Sequence, residues 1–323
     1  MDGPNPQFEW PPIDNGRGSQ VPGQAGSQNI LTVYAAAAGA LLLWAGTPIA
    51  MKLAVATIDP ATVGMLRAVL AGPVALAVAL VLGLPFPARG RQRSLLIVSG
   101  ITSFAVWPTL LSVGIGLTTA NHAALIIAII PIFTGLIATI FDRAWPHLAW
   151  WAGISIAGAG TVFLIFYGGG DAPDGGAASV TGDLIILAGA IVCALGYVTG
   201  AKLSSVIGTW ATTFWGLAIA AVLTTPVVAL LATRTDWAAV TNTGWLSMAY
   251  LAFLGSIMAY AAWFWALGHG GITRMSSWQL GQPVVTFVFA AILLGEAITL
   301  PLLAAGAIVL AGTALAQTPA RRT

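Results

Sequence analysis

Apolar runs of about 20 residues recur along nearly the whole chain, and no other feature restricts its fold as much. A bilayer core about 30 Å thick is crossed by roughly 20 residues of helix at 1.5 Å per residue. Ten such runs are read, near 30–51, 61–83, 94–116, 120–141, 147–168, 181–201, 209–231, 244–267, 272–294 and 299–317. Lipid offers the backbone no hydrogen-bond partners, so each crossing segment satisfies its own backbone as a helix. The expected fold class is therefore all-α integral membrane, with ten transmembrane helices. Composition agrees: 58% of residues are hydrophobic and 7% charged, against roughly 25% charged in soluble domains.

Several function classes drop out at once. A formal net charge of +2 is too small and too dispersed to bind nucleic acid. The one cysteine, Cys193, excludes an intramolecular disulfide and a cysteine-based zinc site. His122, His147 and His269 lack metal-ligand spacing, and no Walker loop, H-E-x-x-H or soluble G-x-S-x-G motif occurs. An intramembrane enzyme needs a mid-membrane nucleophile or acid pair, but Asp59, Asp142, Asp183 and Glu296 all fall at span ends. Neither an enzyme nor a cofactor is expected. The partners are the lipid bilayer and a small organic solute, and nothing sets an oligomeric state.

Lys and Arg placement gives an orientation. With the N-terminus in the cytoplasm, Arg17, Arg89, Arg91, Arg93, Arg143, Lys202, Arg274, Arg321 and Arg322 lie inside, against Arg234 and the end-of-helix Lys52 outside. Both termini are expected in the cytoplasm of a multi-pass inner or plasma membrane protein. Residues 1–29 are polar and rich in Pro, Gly, Gln and Asn, as in a disordered tail, and 318–323 form a second short tail. Between the fifth and sixth runs lies G-G-G-D-A-P-D-G-G-A-A-S-V at Gly168–Val180, read as a flexible outside linker over 169–180.

The two halves, 30–168 and 181–317, repeat weakly. W-A-G-T-P-I-A-M-K-L at Trp44–Leu53 lies against A-L-G-Y-V-T-G-A-K-L at Ala194–Leu203, an offset of 202 − 52 = 150. Pro131 in the fourth run lies against Pro283 in the ninth, 283 − 131 = 152. Five runs per half is an odd number, so the second half enters the membrane upside down. The fold expectation is two inverted-topology five-helix repeats, an arrangement typical of secondary transporters. Proline removes one backbone donor and clashes with the carbonyl four residues earlier. Pro131 and Pro283 are thus hinge candidates, with freed carbonyls near Ile127 and Gln279.

The chain resembles the ten-helix EamA family of the drug/metabolite transporter superfamily over about residues 30–316. The resemblance is carried by W-A-G-T-P-I-A-M-K with Asp59-Pro60 and Arg67, by T-T-A-N-H-A-A-L-I-I-A-I-I-P-I-F-T-G in the fourth run, and by Q-P-V-V-T-F-V-F-A-A-I-L-L-G-E-A-I-T in the ninth. Leu294-Gly295-Glu296 fits the family's helix ending, whereas the fourth run ends Phe141-Asp142-Arg143, where Asp142 stands in for the glutamate or the end is rebuilt. The resemblance implies a secondary carrier of small organic metabolites, often an exporter of amino acids or related compounds. A drug or hydrophobic-cation exporter of the same superfamily, and a non-transporting scaffold or receptor, are the alternatives.

Candidate substrate-binding residues are polar or aromatic groups deep in the runs. Gln279 and Gln282 are amides in a bilayer-crossing stretch, where each needs a reason. Beside them stand Trp278, with Tyr260 and Trp263 on the preceding run; Tyr197 and Trp44 join them through the repeat register. Deep aromatics suit an organic-solute pocket or simple packing. Arg67, about 10 Å along its helix from Pro60, is a gating candidate that reaches the surface, pairs with Asp59 or meets an anionic group. His122 is the one proton-role candidate, although a single histidine at a helix start is more often structural. Interface anchoring is the reading for Lys52 and Lys202.

Overall fold

The computed structural model describes residues 30–142, 148–167, 178–270, 279 and 281–316. Helices and short turns make up all of it, with no strand among the described residues. In chain order the helices are α1 (Ile30–Ala45), α2 (Thr47–Val55), α3 (Pro60–Val81), α4 (Gly90–Gly100), α5 (Trp107–Leu117), α6 (Ala120–Ile127), α7 (Ile130–Asp142), α8 (Leu148–Tyr167), α9 (Val180–Ile207) and α10 (Thr209–Ala232). They continue as α11 (Asn242–Ala249), α12 (Ala259–Gly270), α13 (Gln282–Leu294) and α14 (Leu300–Ala316). Two π-helical segments, Ile101–Val106 and Tyr250–Met258, join α4 to α5 and α11 to α12. Eight continuous stretches are long and apolar enough to cross a membrane, and α13 and α14 are shorter apolar helices. Residues 272–278, the expected start of the ninth run, and most of the expected linker fall outside the described residues.

Sequence chemistry explains where the spans begin. Asp59, Thr119, Ser179, Thr241 and Thr299 each accept a hydrogen bond from the backbone N–H three residues on, at 2.8, 3.2, 3.1, 3.1 and 3.3 Å. These are N-caps, which satisfy donors that a helix start leaves orphaned. They recur at 119 − 59 = 60, 179 − 119 = 60, 241 − 179 = 62 and 299 − 241 = 58 residues, the length of a two-helix hairpin. All five belong to the same end of the bundle, where Lys52, Thr118, Asp183 and Glu296 meet and Thr57 borders Gly244.

Two helix pairs pack most closely, α3 on α10 and α8 on α14. Small residues allow this: Gly72 faces Ala221, and Gly153 and Gly312 face each other's backbones beside Ala157 and Ala316. In lipid, where apolar surface gains little by leaving its solvent, close backbone approach is what holds helices together.

The bundle interior is interrupted rather than continuous. The first span breaks at Gly46, two residues ahead of Pro48. Side chains of the second half take the carbonyls exposed there: Tyr250 Oη donates to Leu43 O (2.6 Å) and Thr286 Oγ1 to Ala45 O (3.0 Å). Gly46 has no room for a Cβ against the Tyr250 hydroxyl, so glycine is required at the break. The fourth span breaks at Ala128–Ile129 ahead of Pro131, and α13 starts at Gln282 with Pro283 in its first turn. A proline one turn on deprives Trp44, Ile127 and Gln279 of the donor their carbonyls would otherwise use. The pairing of Arg67 with Asp59 is not found: Asp59 is engaged by Thr62 through both its N–H and its hydroxyl.

Candidate functional site

The two helix breaks and the start of α13 surround one cavity. It measures about 340 Å³ and lies deep between the two halves. From the first half, Trp44 and Thr47 flank the α1–α2 break, Arg67 reaches in from α3, and Trp107 and Leu111 come from α5. Ala124, Ile127, Ala128, Ile130 and Pro131 follow the α6–α7 break around the wall. The second half contributes Tyr197 of α9, Tyr260 of α12, and Gln279, Gln282 and Pro283. The residues whose carbonyls lose a helix donor to proline, Trp44, Ile127 and Gln279, are thus all on the wall.

Local contacts fix the side chains. Trp44 donates Nε1–H to Gly255 O at 3.2 Å, and its ring meets Tyr260 edge-on at 5.1 Å. Tyr260 and Tyr197 both face this cavity. Tyr197 is 43% exposed, and that exposure opens into the cavity. Arg67 donates from Nε (3.2 Å) and Nη2 (2.8 Å) to Ser256 Oγ, whose own proton goes to Leu251 O (2.8 Å) inside the second π segment. π turns interrupt the α-helical ladder and recur at functional sites. Here the turn places a hydroxyl under a guanidinium.

Of the residues singled out in the sequence, Trp44, Tyr197, Tyr260, Gln279, Gln282, Arg67, Pro131 and Pro283 line this one space. Trp263 does not. It is 5% exposed and packs behind Trp44, ring centroids 5.6 Å apart, among Val33, Ala37 and Ala40. Trp278 lies outside the described residues. Thr47, between the break at Gly46 and Pro48, and Trp107, one before Pro108, join the wall without having been singled out as site residues. Proximity to a proline was the available signal for both.

A second polar cluster closes the capped end of the bundle. Lys52 donates to Ile115 O (2.9 Å) and Thr118 O, the last carbonyls of α5 and its turn, and so caps a helix instead of anchoring at the interface. Asp183 accepts from Thr118 Oγ1 (2.6 Å) and pairs with His122 Nδ1 (2.7 Å), both residues being buried. Glu296 accepts from Ala120 N (2.6 Å) and Asn121 N (2.9 Å). His122 is therefore tied into a structural pair at its helix start, and no metal-ligating group of three occurs among the described residues.

Comparison with known proteins gives one consistent answer. The model of the EamA-like transporter family matches twice, over residues 31–166 and 180–318. An uncharacterized transporter of Bacillus subtilis, YdeK, is 30% identical over 282 residues, covering 86% of this chain and 94% of that protein. An uncharacterized inner membrane transporter of Escherichia coli, YedA, is 28% identical over 293 residues, covering 88% and 90%. A protein of known crystal structure superimposes with a TM-score of 0.59 at 20% identity, over 91% of this chain and all of that one, which is a likeness of fold. Two consecutive matches that together span most of a multi-pass helical membrane protein identify this chain as a member of the EamA-like transporter family.

Proposed function

We propose that this protein carries a small organic metabolite across the membrane by alternating access between two inverted five-helix repeats, residues 30–168 and 181–317. One observation carries the reading: a deep cavity whose wall is shared by both halves, built where helices are broken. Solute sites of carriers sit at such repeat interfaces, formed by discontinuous helices. The double match of the family model supports the duplication. So do the π segments, which begin 250 − 101 = 149 and end 258 − 106 = 152 residues apart, close to the offset of the prolines. About 340 Å³ is at the small end of ligand cavities, roughly 300–1,000 Å³, which suits a metabolite.

In this reading Gln279, Gln282, Tyr260, Tyr197 and Trp44 contact the solute, with Trp263 bracing Trp44. Pro131 and Pro283 are hinges, and Arg67 serves the site or its gate. Both termini are cytoplasmic, and amino acids or related compounds, exported, are the first solutes to try. Lys52 strengthens the charge argument for orientation, because it is consumed in capping α5 and leaves the exposed Arg234 as the positive charge on the opposite side among the described residues. A scaffold or receptor has no need of a cavity between hinged halves. Reconstitution into liposomes tests the proposal. Wild-type protein should move at least one solute from a metabolite panel, and Gln282→Leu, folded but short of an amide hydrogen bond to solute, should lower that flux about tenfold or more. No flux across a broad panel would sink it.

A further inference from the structure

Among the described residues, the cavity wall carries one charge and no counter-charge. Arg67 is the sole ionisable group of fixed charge among the described residues that line it. Its hydrogen bonds go to one neutral hydroxyl, Ser256 Oγ. A guanidinium has five N–H donors in a planar fork, and that hydroxyl takes two of them. Among the described side chains, the carboxylates are engaged elsewhere: Asp59 by Thr62, Asp183 by His122 and Thr118, Asp236 by Ala238 N, Glu296 by the start of α6. The ion pair His122–Asp183 lies at the end of the bundle, away from the cavity.

A positive charge in a low-dielectric interior without a counter-ion is costly, and intramembrane arginines accordingly mark substrate or ion pathways. The other described wall residues are neutral. They offer amides from Gln279 and Gln282, phenol hydroxyls from Tyr197 and Tyr260, and flat apolar faces from Trp44 and Trp107. We infer that the transported solute is a small organic anion, a carboxylate on a planar or apolar body, whose charged group docks on the free edge of the Arg67 guanidinium while its body lies against Trp44 and Trp107. Two parallel N–H···O bonds suit a planar carboxylate and a planar fork. An organic cation would find aromatic faces but also the repulsion of Arg67, so the wall selects against it. Among the amino acids and related compounds named above, this favours carboxylates without an ammonium, a group for which the described wall has no carboxylate.

This inference rests on the cavity being the solute site proposed above. A matched series of one body with four charge states tests it: phenylacetate, phenylacetamide, phenylalanine and phenethylamine. Binding to the purified protein is read by quenching of tryptophan fluorescence and by thermal stabilisation, since a ligand stabilises the state it binds. Phenylacetate should bind at least about tenfold more tightly than the amide and the amine, with phenylalanine weaker than phenylacetate. Arg67→Gln should abolish the preference and Arg67→Lys should keep part of it. Should Arg67→Gln fail to fold, the wild-type series decides alone. Equal binding of the amide, tighter binding of the amine or the zwitterion, binding of none of the four, or an anion preference that survives Arg67→Gln overturns the inference. Flux of a neutral or cationic solute in liposomes would leave the transport reading standing while this one falls, and anion binding without any flux would do the reverse.

Discussion

Replacing Glu296 with leucine should destabilise the protein by about 3 kcal/mol, the largest effect expected of any single side chain outside the cavity. The reason lies at the start of α6. A helix leaves its first four N–H groups without partners. Here Glu296 takes those of Ala120 and Asn121 and the Thr119 side chain takes that of His122, while Ala123 N opens the helix's own ladder by donating to Thr119 O at 3.1 Å. Glu296 is 5% exposed, so no water replaces it when it is removed. Two stranded buried donors cost about 1–3 kcal/mol each, and the lost negative charge at a helix N-terminus adds roughly 0.3–1 kcal/mol. Glu296→Gln keeps one acceptor and should lose about half as much. Equilibrium unfolding in mixed detergent micelles measures both, and a leucine variant that unfolds at the wild-type denaturant level would refute the role.

The second large effect belongs to Gly312. A Cβ there would press on the N and Cα of Ala157 and on the carbonyl of Gly153, all backbone atoms of α8 that side-chain rotation cannot move aside. Gly312→Val should separate α8 from α14 at a cost of about 3 kcal/mol, as overpacking of tight contacts does. Gly158, on the same α8, gives the contrast: a Cβ there meets nothing within 4 Å. Gly158→Ala should be neutral or stabilise by roughly 0.5–1 kcal/mol, because glycine is the poorer helix former. Identical melting behaviour of the two variants would show that the α8–α14 contact is not what the small residues are for.

Much of this was legible in the sequence because it is written in local terms. Apolar run length marks the spans, proline marks the breaks at Pro131 and Pro283, and an amide within an apolar run, as at Gln282, marks a wall facing something other than lipid. The five N-caps were equally legible, as single Ser, Thr or Asp residues before each second span, but their spacing of about 60 residues emerges only once the helix starts are known. What stayed hidden depends on contacts across the chain. Glu296 meets Asn121 over 175 residues, and Lys52 meets Ile115 over 63. A polar residue at a span end has the same local sequence whether it turns to headgroups or to another helix, so Lys52 read as an anchor and Asp183 as an end marker. Trp263 shows the limit on one helix. Tyr260 and Trp263 are three residues apart, on neighbouring faces, and only packing against α1 decides that one reaches the cavity and the other braces Trp44 from behind. The π segments were invisible because an extra residue per turn leaves no trace in an apolar run.

Access to the cavity from both faces of the membrane is the most direct measure of carrier function. With the buried Cys193 replaced, Cys193→Ala, a single Ala128→Cys on the wall gives one reactive thiol beside the α6–α7 break. Alternating access requires that a membrane-impermeant maleimide label this thiol when added to right-side-out vesicles and also when added to inverted ones, with the balance shifting when a transported solute is present. Labelling from one face alone, whatever solute is supplied, would contradict the carrier mechanism.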